Sequence, residues 1–291
     1  MEIKNQKILI VGCGKLGVLI GDELRQKKID YSVYGIRRTQ VSNATFPMLS
    51  KDIFADDFND FLCDLKPSLI IYSATPSSQD PAEYRAVYLN GLKLISNILT
   101  YNNLNTQLCF ISSTRVFNGF QGSGYIDDDT EPCPNDLQGE VLAAAETFIL
   151  ENSYGRVFRL SGIYGQERQM MIRLAKDTER WKTSENKMTN RIFDIDAAKI
   201  ISLVVNKLLD SKKTLLIPNV INVTDCHPVD FYTVLNFIRK KLNLDIINHP
   251  ENLTNPGKKI TSTFLTEKLS YSFTFPTFES GYLNIIDTLD K

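Results

Sequence analysis

Residues Gly12-Cys13-Gly14-Lys15-Leu16-Gly17 spell G-x-G-x-x-G. In such a run the first glycine permits a tight turn and the second lets a pyrophosphate approach the backbone. The third lets a helix pack closely on a strand, and the positive end of that helix favours the negative charge. The chemistry implied is the holding of a dinucleotide. The run follows the apolar stretch Lys7–Val11 and opens the amphipathic stretch Leu16–Lys27, which is the strand–turn–helix context the motif requires. Gly12, Gly14, Lys15, Leu16 and Gly17 are therefore candidate cofactor residues.

The end of the second apolar run bears on which dinucleotide is held. NAD binders place an acid there to hold the ribose 2′-hydroxyl, whereas this chain has Tyr34-Gly35-Ile36-Arg37-Arg38. A guanidinium fork donates two charge-assisted hydrogen bonds to a phosphate, so Arg37 and Arg38 favour NADP(H). NAD, with the arginines as a solvated basic turn, is the alternative. Asp56 or Asp57, after Ile53-Phe54, is a candidate for the adenine amino group, against a plain surface role. In Ser73-Ala74-Thr75-Pro76, Ala74 and Thr75 are small enough for a cofactor to lie close over the strand end.

These residues need a scaffold, and the pattern around them supplies one. Lys7–Val11, Tyr31–Ile36, Leu69–Ser73, Leu108–Ser112 and Arg156–Arg159 read as buried parallel strands. Leu16–Lys27, Tyr84–Thr100 and Leu137–Glu151 between them have helical spacing. The alternation predicts an α/β fold, a doubly wound parallel sheet of the Rossmann type. Residues 1–165 form the dinucleotide-binding domain in this reading, with 190–226 returning to it. Residues 166–189 and 227–291 form a smaller substrate-side region. There, Met170–Trp181, Ile195–Leu209 and Pro228–Leu242 read as helices and Leu215–Val223 as a strand. The tail from Asn243 reads as short irregular pieces that cover one end of the sheet.

Composition narrows the partners. The formal net charge of −1 over 291 residues provides no overall field for nucleic acid or anionic lipid. Five cysteines, with no C-x-x-C pair and an odd count, fit reduced thiols better than a disulfide framework. His227 and His249 have no ligand-spaced partner, so no metal site is expected. No apolar stretch approaches the roughly 20 residues needed to cross a bilayer. The short N-terminal apolar run is broken by Gly12, too early for a signal peptide, and a cytoplasmic protein acting on a small molecule is the expectation.

Further segments carry a family likeness. Ile111-Ser112-Ser113-Thr114-Arg115-Val116-Phe117 and Arg159-Leu160-Ser161-Gly162-Ile163-Tyr164-Gly165, with Ile8–Gly17, Ile71–Thr75 and Arg191–Asp196, resemble the extended short-chain dehydrogenase/reductase family in its NAD-dependent epimerase/dehydratase branch. The resemblance implies a catalytic Ser or Thr, then Tyr-x-x-x-Lys on the next helix, where the lysine tunes the tyrosine for proton transfer. Ser113 holds the first position. Gly139 and Glu146 align with the family's helix, which leaves Gln138 in the tyrosine's place and Leu142 in the lysine's. Losing such a general acid costs about 10²–10⁴ in rate. Tyr125, Tyr164 and Tyr88 are candidate substitutes, and Arg191, with Asp194 and Asp196 nearby, is implied to face the substrate.

Two functions follow as expectations. The first is an epimerase/dehydratase- or reductase-like enzyme, NADP(H)-dependent, acting on a carbonyl or nucleotide-sugar-like substrate. In it Ser113 polarises the substrate oxygen and Tyr164 or Tyr125 supplies the proton. The second is a non-catalytic NADP(H) sensor or regulator of the same fold. Helices Tyr84–Thr100 and Leu137–Glu151, with Leu137, Val141, Phe148 and Ala143–Ala145, are candidates for a homodimer face, or else simply cover the sheet.

Overall fold

The computed structural model describes residues 6–26, 31–39, 44–151, 155–177, 186–210, 216–248 and 257–289. Trp181, Leu215 and His249 of the sequence reading lie outside them. Strand β1 (Gln6–Val11) is buried over Ile8–Val11, as a run apolar on both faces must be in the middle of a sheet. The glycine turn follows it, then α1 (Lys15–Gln26), whose buried Leu16, Ile20 and Leu24 recur every four residues. Next come β2 (Tyr31–Arg37), β3 (Met48–Ser50), α2 (Phe58–Leu65) and β4 (Leu69–Tyr72).

A long helical run then covers α3 (Pro81–Tyr84), a π-helical turn at Arg85–Asn90 and α4 (Gly91–Tyr101). Asp80 caps its start, accepting from the Glu83 amide, with Pro81 in the first turn where no backbone donor is needed. The run had been expected as one regular helix. The π turn is the difference, and the Tyr72 hydroxyl meets it by donating to the Val87 carbonyl at 2.5 Å.

Strand β5 (Gln107–Ser113) precedes β6 (Tyr125–Ile126), α5 (Leu137–Leu150), β7 (Gly155–Leu160) and β8 (Gly162–Tyr164). Beyond these lie α6 (Met170–Lys176), β9 (Met188–Thr189), β10 (Arg191–Phe193) and α7 (Asp194–Leu209). The last described elements are β11 (Val220–Val223), β12 (Val229–Asp230), α8 (Phe231–Lys241), β13 (Lys259–Ile260) and α9 (Phe278–Leu289).

Seven strands join in the order β11-β7-β5-β4-β1-β2-β3. The pairs β1–β2, β1–β4, β2–β3 and β4–β5 are parallel. The chain goes to β2 on one side of β1 and to β4 on the other, so the strand order reverses at β1. In open α/β sheets that reversal leaves a crevice beyond the carboxyl ends of the strands. The fold is the expected doubly wound α/β sheet.

Under the end of β5 lies a buried ionic cluster. The Ser112 hydroxyl donates to Glu146 Oε1 at 2.5 Å, and Arg159 Nε and Nη2 both reach Glu146 Oε2 at 2.9 Å. The Arg159 guanidinium also lies 4.9 Å from the centre of the Phe117 ring. A carboxylate this deep is tolerable only when paired and hydrogen-bonded on both oxygens.

Packing divides the chain into two units. The first holds residues 1–118, 132–159 and 198–221, and the second holds 119–131, 160–197 and 222–291. The second unit has its own core, in which Tyr164, Phe193, Tyr232, Leu235, Phe278 and Tyr282 are buried. Its strands pair in twos: β8 with β10, β9 with β12, and β6 with β13. Two buried carboxylates organise its irregular segments. Asp128 accepts from the Asn222 and Phe264 amides and the Ser262 hydroxyl. Asp196 accepts from the Tyr271 hydroxyl and the Thr274 and Phe275 amides.

The tail ends in a regular helix that the sequence reading had not singled out. Phe278, Gly281, Tyr282, Ile285 and Ile286 are buried at helical spacing along α9. That stripe had been read together with the proline- and glycine-bearing pieces before it.

Candidate functional site

The crevice beyond β1, β2 and β4 contains a cavity of about 350 Å³. Gly12, Gly14, Arg37, Arg38, Ala74 and Thr75 line it, joined by Thr39, Lys51, Asp52, Ile53, Phe54, Tyr72 and Val87. Gly12 has φ +70°, and a Cβ there would run into the Ala74 backbone. Only glycine meets both conditions. At Gly14 the nearest heavy atom to an added Cβ is the Gly12 carbonyl oxygen, at 3.9 Å, so the space beside its backbone is open. Gly17 is packed against Ile10 and Cys13, each 3.1 Å from where a Cβ would sit. Lys15 is exposed and Leu16 buried at the start of α1.

Arg37 is half-buried and Arg38 exposed at the end of β2, and no acid stands between them. Lys51 follows β3, which pairs Ser50 beside Arg37, and its amide donates to the Arg37 carbonyl at 3.0 Å. Its ammonium reaches Asp57 Oδ2 at 2.6 Å. Asp56 and Asp57 are both exposed and neither lines the cavity; Asp52 is the acid that does. Sequence reasoning passed over Lys51 and Asp52 because β3 is only three residues long. Its pairing with β2 was the missing signal. A dinucleotide fits this set: a glycine turn with open backbone, small residues at the β4 end, and cations at the β2 end.

Ser113 ends β5, the neighbour of β4 in the same parallel sheet, and so stands on the same edge as Gly12, Arg37 and Ala74. It is half-buried and caps a short 3₁₀ turn, its hydroxyl oxygen accepting from the Arg115 amide at 3.2 Å. On α5, Leu142 is buried and Gln138 is engaged at both ends of its amide. Gln138 Oε1 accepts from Arg115 Nη2 at 3.2 Å, and Nε2 donates to the Gln79 carbonyl at 2.7 Å. No titratable group occupies either dyad position. Along α5, Val141 and Ala145 are buried, Ala143 and Phe148 half-buried, and Leu137 exposed.

Of the other sequence candidates, Tyr88 belongs to the first unit and Tyr125, Tyr164 and Arg191 to the second. Tyr125 is exposed on β6. Tyr164 is buried, its ring stacked on Tyr282 with centroids 4.7 Å apart and edge-on to Phe193 at 5.1 Å. Its hydroxyl lies against Gly281 without a hydrogen-bond partner, and burial pushes its pKa above the ordinary tyrosine value, with Asp225 adding to the effect. Arg191 is buried with Nη2 donating to Thr189 Oγ1 at 2.6 Å, while Nη1 is without a partner. Asp225, which follows β11, is pushed up to about 7 by burial. Tyr88 is buried edge-on to Tyr84 and Phe110.

A glycine-rich first turn, a strand order that reverses at β1, and a serine ending β5 define an extended short-chain dehydrogenase/reductase of the epimerase/dehydratase type. The chain belongs to the RmlD substrate-binding-domain family, which matches residues 6–224. A protein from Methylobacillus flagellatus, provisionally called a NAD-dependent epimerase/dehydratase, is 28% identical and superposes with a TM-score of 0.82 over 99% of this chain and 100% of its own. The same fold is shared with dTDP-glucose 4,6-dehydratase from Bacillus anthracis, solved with NAD. That protein is 14% identical, with a TM-score of 0.77 over 98% of this chain and 96% of its own. UDP-glucose 4-epimerase from Thermotoga maritima, solved with UDP-glucose, is 15% identical with a TM-score of 0.76, over 98% and 99% respectively. A comparison with curated proteins found no match. Among the described residues, no helix is long and apolar enough to cross a membrane.

Proposed function

We propose that the chain binds NADP(H) in the cavity beyond β1, β2 and β4 and acts on a carbonyl or nucleotide-sugar-like substrate as an epimerase/dehydratase or reductase. The observation that carries this reading is one cavity lined by the Gly12–Gly14 turn, Arg37 and Arg38, with Ser113 on the same edge of the sheet. Gly12 makes the turn, Gly14 leaves its backbone open to the pyrophosphate and Gly17 lets α1 pack on β1, with Lys15 and Leu16 opening the helix behind the turn. Arg37 and Arg38 take the 2′-phosphate, Ala74 and Thr75 leave room at the β4 end, and Asp52, in place of the candidates Asp56 or Asp57, takes the adenine contact. A nicotinamide held there would supply hydride chemistry.

Ser113 is the residue that donates to the substrate oxygen as charge develops on it. The proton comes from Tyr164 or Tyr125. Burial raises the Tyr164 pKa and makes its hydroxyl a weaker acid than an ordinary tyrosine, whereas Tyr125 is exposed to solvent. Arg191, with Nη1 unpartnered, is the substrate-side cation.

A second reading, a non-catalytic NADP(H) sensor, is favoured by Gln138 and Leu142 at the dyad positions. Oxidation of NADPH by a panel of aldehydes and ketones, together with product analysis of nucleotide sugars incubated with NADP+, separates the two, because an epimerase or dehydratase returns its hydride and oxidises no cofactor net. The enzyme reading expects turnover that Ser113→Ala lowers by about 10²–10³, and Tyr125→Phe against Tyr164→Phe identifies the donor. Tight binding with no oxidation of NADPH and no conversion of any nucleotide sugar would favour the sensor. Full activity in Ser113→Ala would remove the serine from the mechanism.

A further inference from the structure

The replacement of the dyad tyrosine leaves a question about what Gln138 does. Between the cavity wall at Ala74–Thr75 and the cap of α3 at Asp80 the chain has no regular structure. Backbone of that kind keeps its shape only through hydrogen bonds from elsewhere. Two sets of bonds hold this one, beside the Tyr84 hydroxyl, which donates to Gln79 Oε1 at 3.4 Å. Glu83 takes four from its middle: Oε1 from the Ser77 amide and hydroxyl, both at 2.7 Å, and Oε2 from the Ser78 amide and hydroxyl, at 3.0 and 2.5 Å. These bonds hold the Glu83 carboxyl down at about 2, the Ser78 hydroxyl first among them.

The second set grips Gln79 and comes from Gln138, which stands where the family's tyrosine would, and from Arg115. The Gln79 carbonyl accepts from Gln138 Nε2 at 2.7 Å, and Gln79 Oε1 accepts from Arg115 Nη1 at 3.3 Å. Arg115 also holds Gln138 Oε1 through Nη2. Its Nε donates to Asp136 Oδ1 at 2.8 Å, the oxygen that caps α5 by accepting from the Gly139 amide at 2.7 Å. Asn118 Nδ2 takes the other Asp136 oxygen at 2.8 Å. A primary amide suits this place because it accepts on one side and donates on the other, and a guanidinium fork suits it because it serves three acceptors in one plane.

We propose that Gln138 and Arg115 form a clasp that fixes the β4-side wall of the cofactor cavity. The position the family gives to proton transfer has become, in this chain, a positioning position for dinucleotide binding. The wall is held at its other end by the β1 ladder, where the Ser73 amide donates to the Val11 carbonyl at 2.8 Å. Ala74 in turn packs on Gly12, so the wall and the glycine turn move together or not at all. Neither Gln138 nor Arg115 is assigned a place on the dinucleotide; they act through the Thr75–Gln79 segment.

The proposal rests on the cavity being the dinucleotide site, and the test separates the two. NADPH dissociation constants are measured by titration for wild type, Gln138→Met, Gln138→Tyr and Arg115→Lys, with melting temperatures as the folding control. Hydrogen exchange at the Ser77, Ser78 and Gln79 amides is followed in the unliganded proteins. Methionine keeps the volume of glutamine without its hydrogen bonds. Each lost bond corresponds to roughly a few-fold to tenfold in affinity. Gln138→Met is expected to weaken NADPH about tenfold and to speed exchange at those three amides, with its melting temperature little changed. Gln138→Tyr, with a single hydroxyl, repairs neither, and Arg115→Lys loses the fork and behaves like Gln138→Met. Wild-type binding with unchanged constants and exchange in all three variants overturns the clasp alone. No NADPH binding by wild type overturns the cofactor reading and the clasp with it.

Discussion

Gly12 and Gly14 sit two residues apart in the same turn, and the structure assigns them opposite sensitivities. A valine at Gly14 meets no protein atom closer than the Gly12 carbonyl oxygen at 3.9 Å from its Cβ, and its φ lies outside the left-handed region. The folded state therefore loses only the advantage of glycine at a helix N-cap, about 1 kcal/mol, or about 2–4 °C in melting temperature. The valine methyl groups would instead enter the cavity that Gly14 lines. If they displace two charge-assisted hydrogen bonds between backbone amides and a pyrophosphate, at about 1.5–3 kcal/mol each, affinity falls by roughly 10²–10⁴. At Gly12 the order reverses. Alanine there takes on about 1–2 kcal/mol of left-handed strain and pushes on the Ala74 backbone, so Gly12→Ala loses more melting temperature than Gly14→Val. Calorimetric titration with NADP(H), beside thermal melts of both variants, tests the pair. A folded Gly14→Val that binds as wild type would refute the reasoning and make the glycine run only a turn.

Cofactor choice is expected to depend on the arginine at the end of β2. Arg37→Ala should weaken NADP(H) by roughly 10–150-fold with little effect on NAD(H), and equal losses for both would refute the 2′-phosphate assignment. A pH effect on stability is expected from Asp225, raised by burial to about 7 from an ordinary value of 3.8. Between those values the folded chain holds a proton that the unfolded chain has released. Stability from this group is thus greatest at low pH and falls as pH rises toward 7, by at most about 1.4 kcal/mol per pH unit. Urea denaturation of Asp225→Asn at pH 5, 6, 7 and 8 should show a shallower decline than wild type; parallel curves would mean that Asp225 titrates as in water.

The parts of the fold that were legible were those in which one strand or helix carries its own signal. Ile8–Val11 is apolar without interruption and Leu16, Ile20 and Leu24 recur at helical spacing, so β1, the turn and α1 could be read from composition alone. The cavity residues on β1, β2 and β4 followed from them. Lys51 and Asp52 did not, because three residues of β3 after Pro47 are too short for a pattern, and only pairing with β2 brings them to the cavity. The π turn was hidden because the apolar stripe runs through it. Asp196 read as an acid near Arg191 on the substrate side and Asp128 carried no signal of its own, and only the distant amides and hydroxyls that reach them reveal buried hubs. Gln138 could be recognised as a missing tyrosine, but its partners are contributed by Gln79 and Arg115, 59 and 23 residues away in the chain.

Gln138, Leu142 and Glu146 fall four residues apart and share one face of α5. The far end of that face is pinned by Ser112 and Arg159 through Glu146, and adjacent Ser112 and Ser113 side chains point to opposite sides of β5. Helix and strand are thereby indexed against each other by a bond that takes no part in chemistry. A one-residue slip of α5 would break that buried ion pair, whatever residues stand at 113 and 138. The near end accordingly keeps its address whichever residues occupy it. A lineage can shed the tyrosine and lysine of its ancestors without losing the place they occupied, and the same frame can later receive a different set of reacting groups.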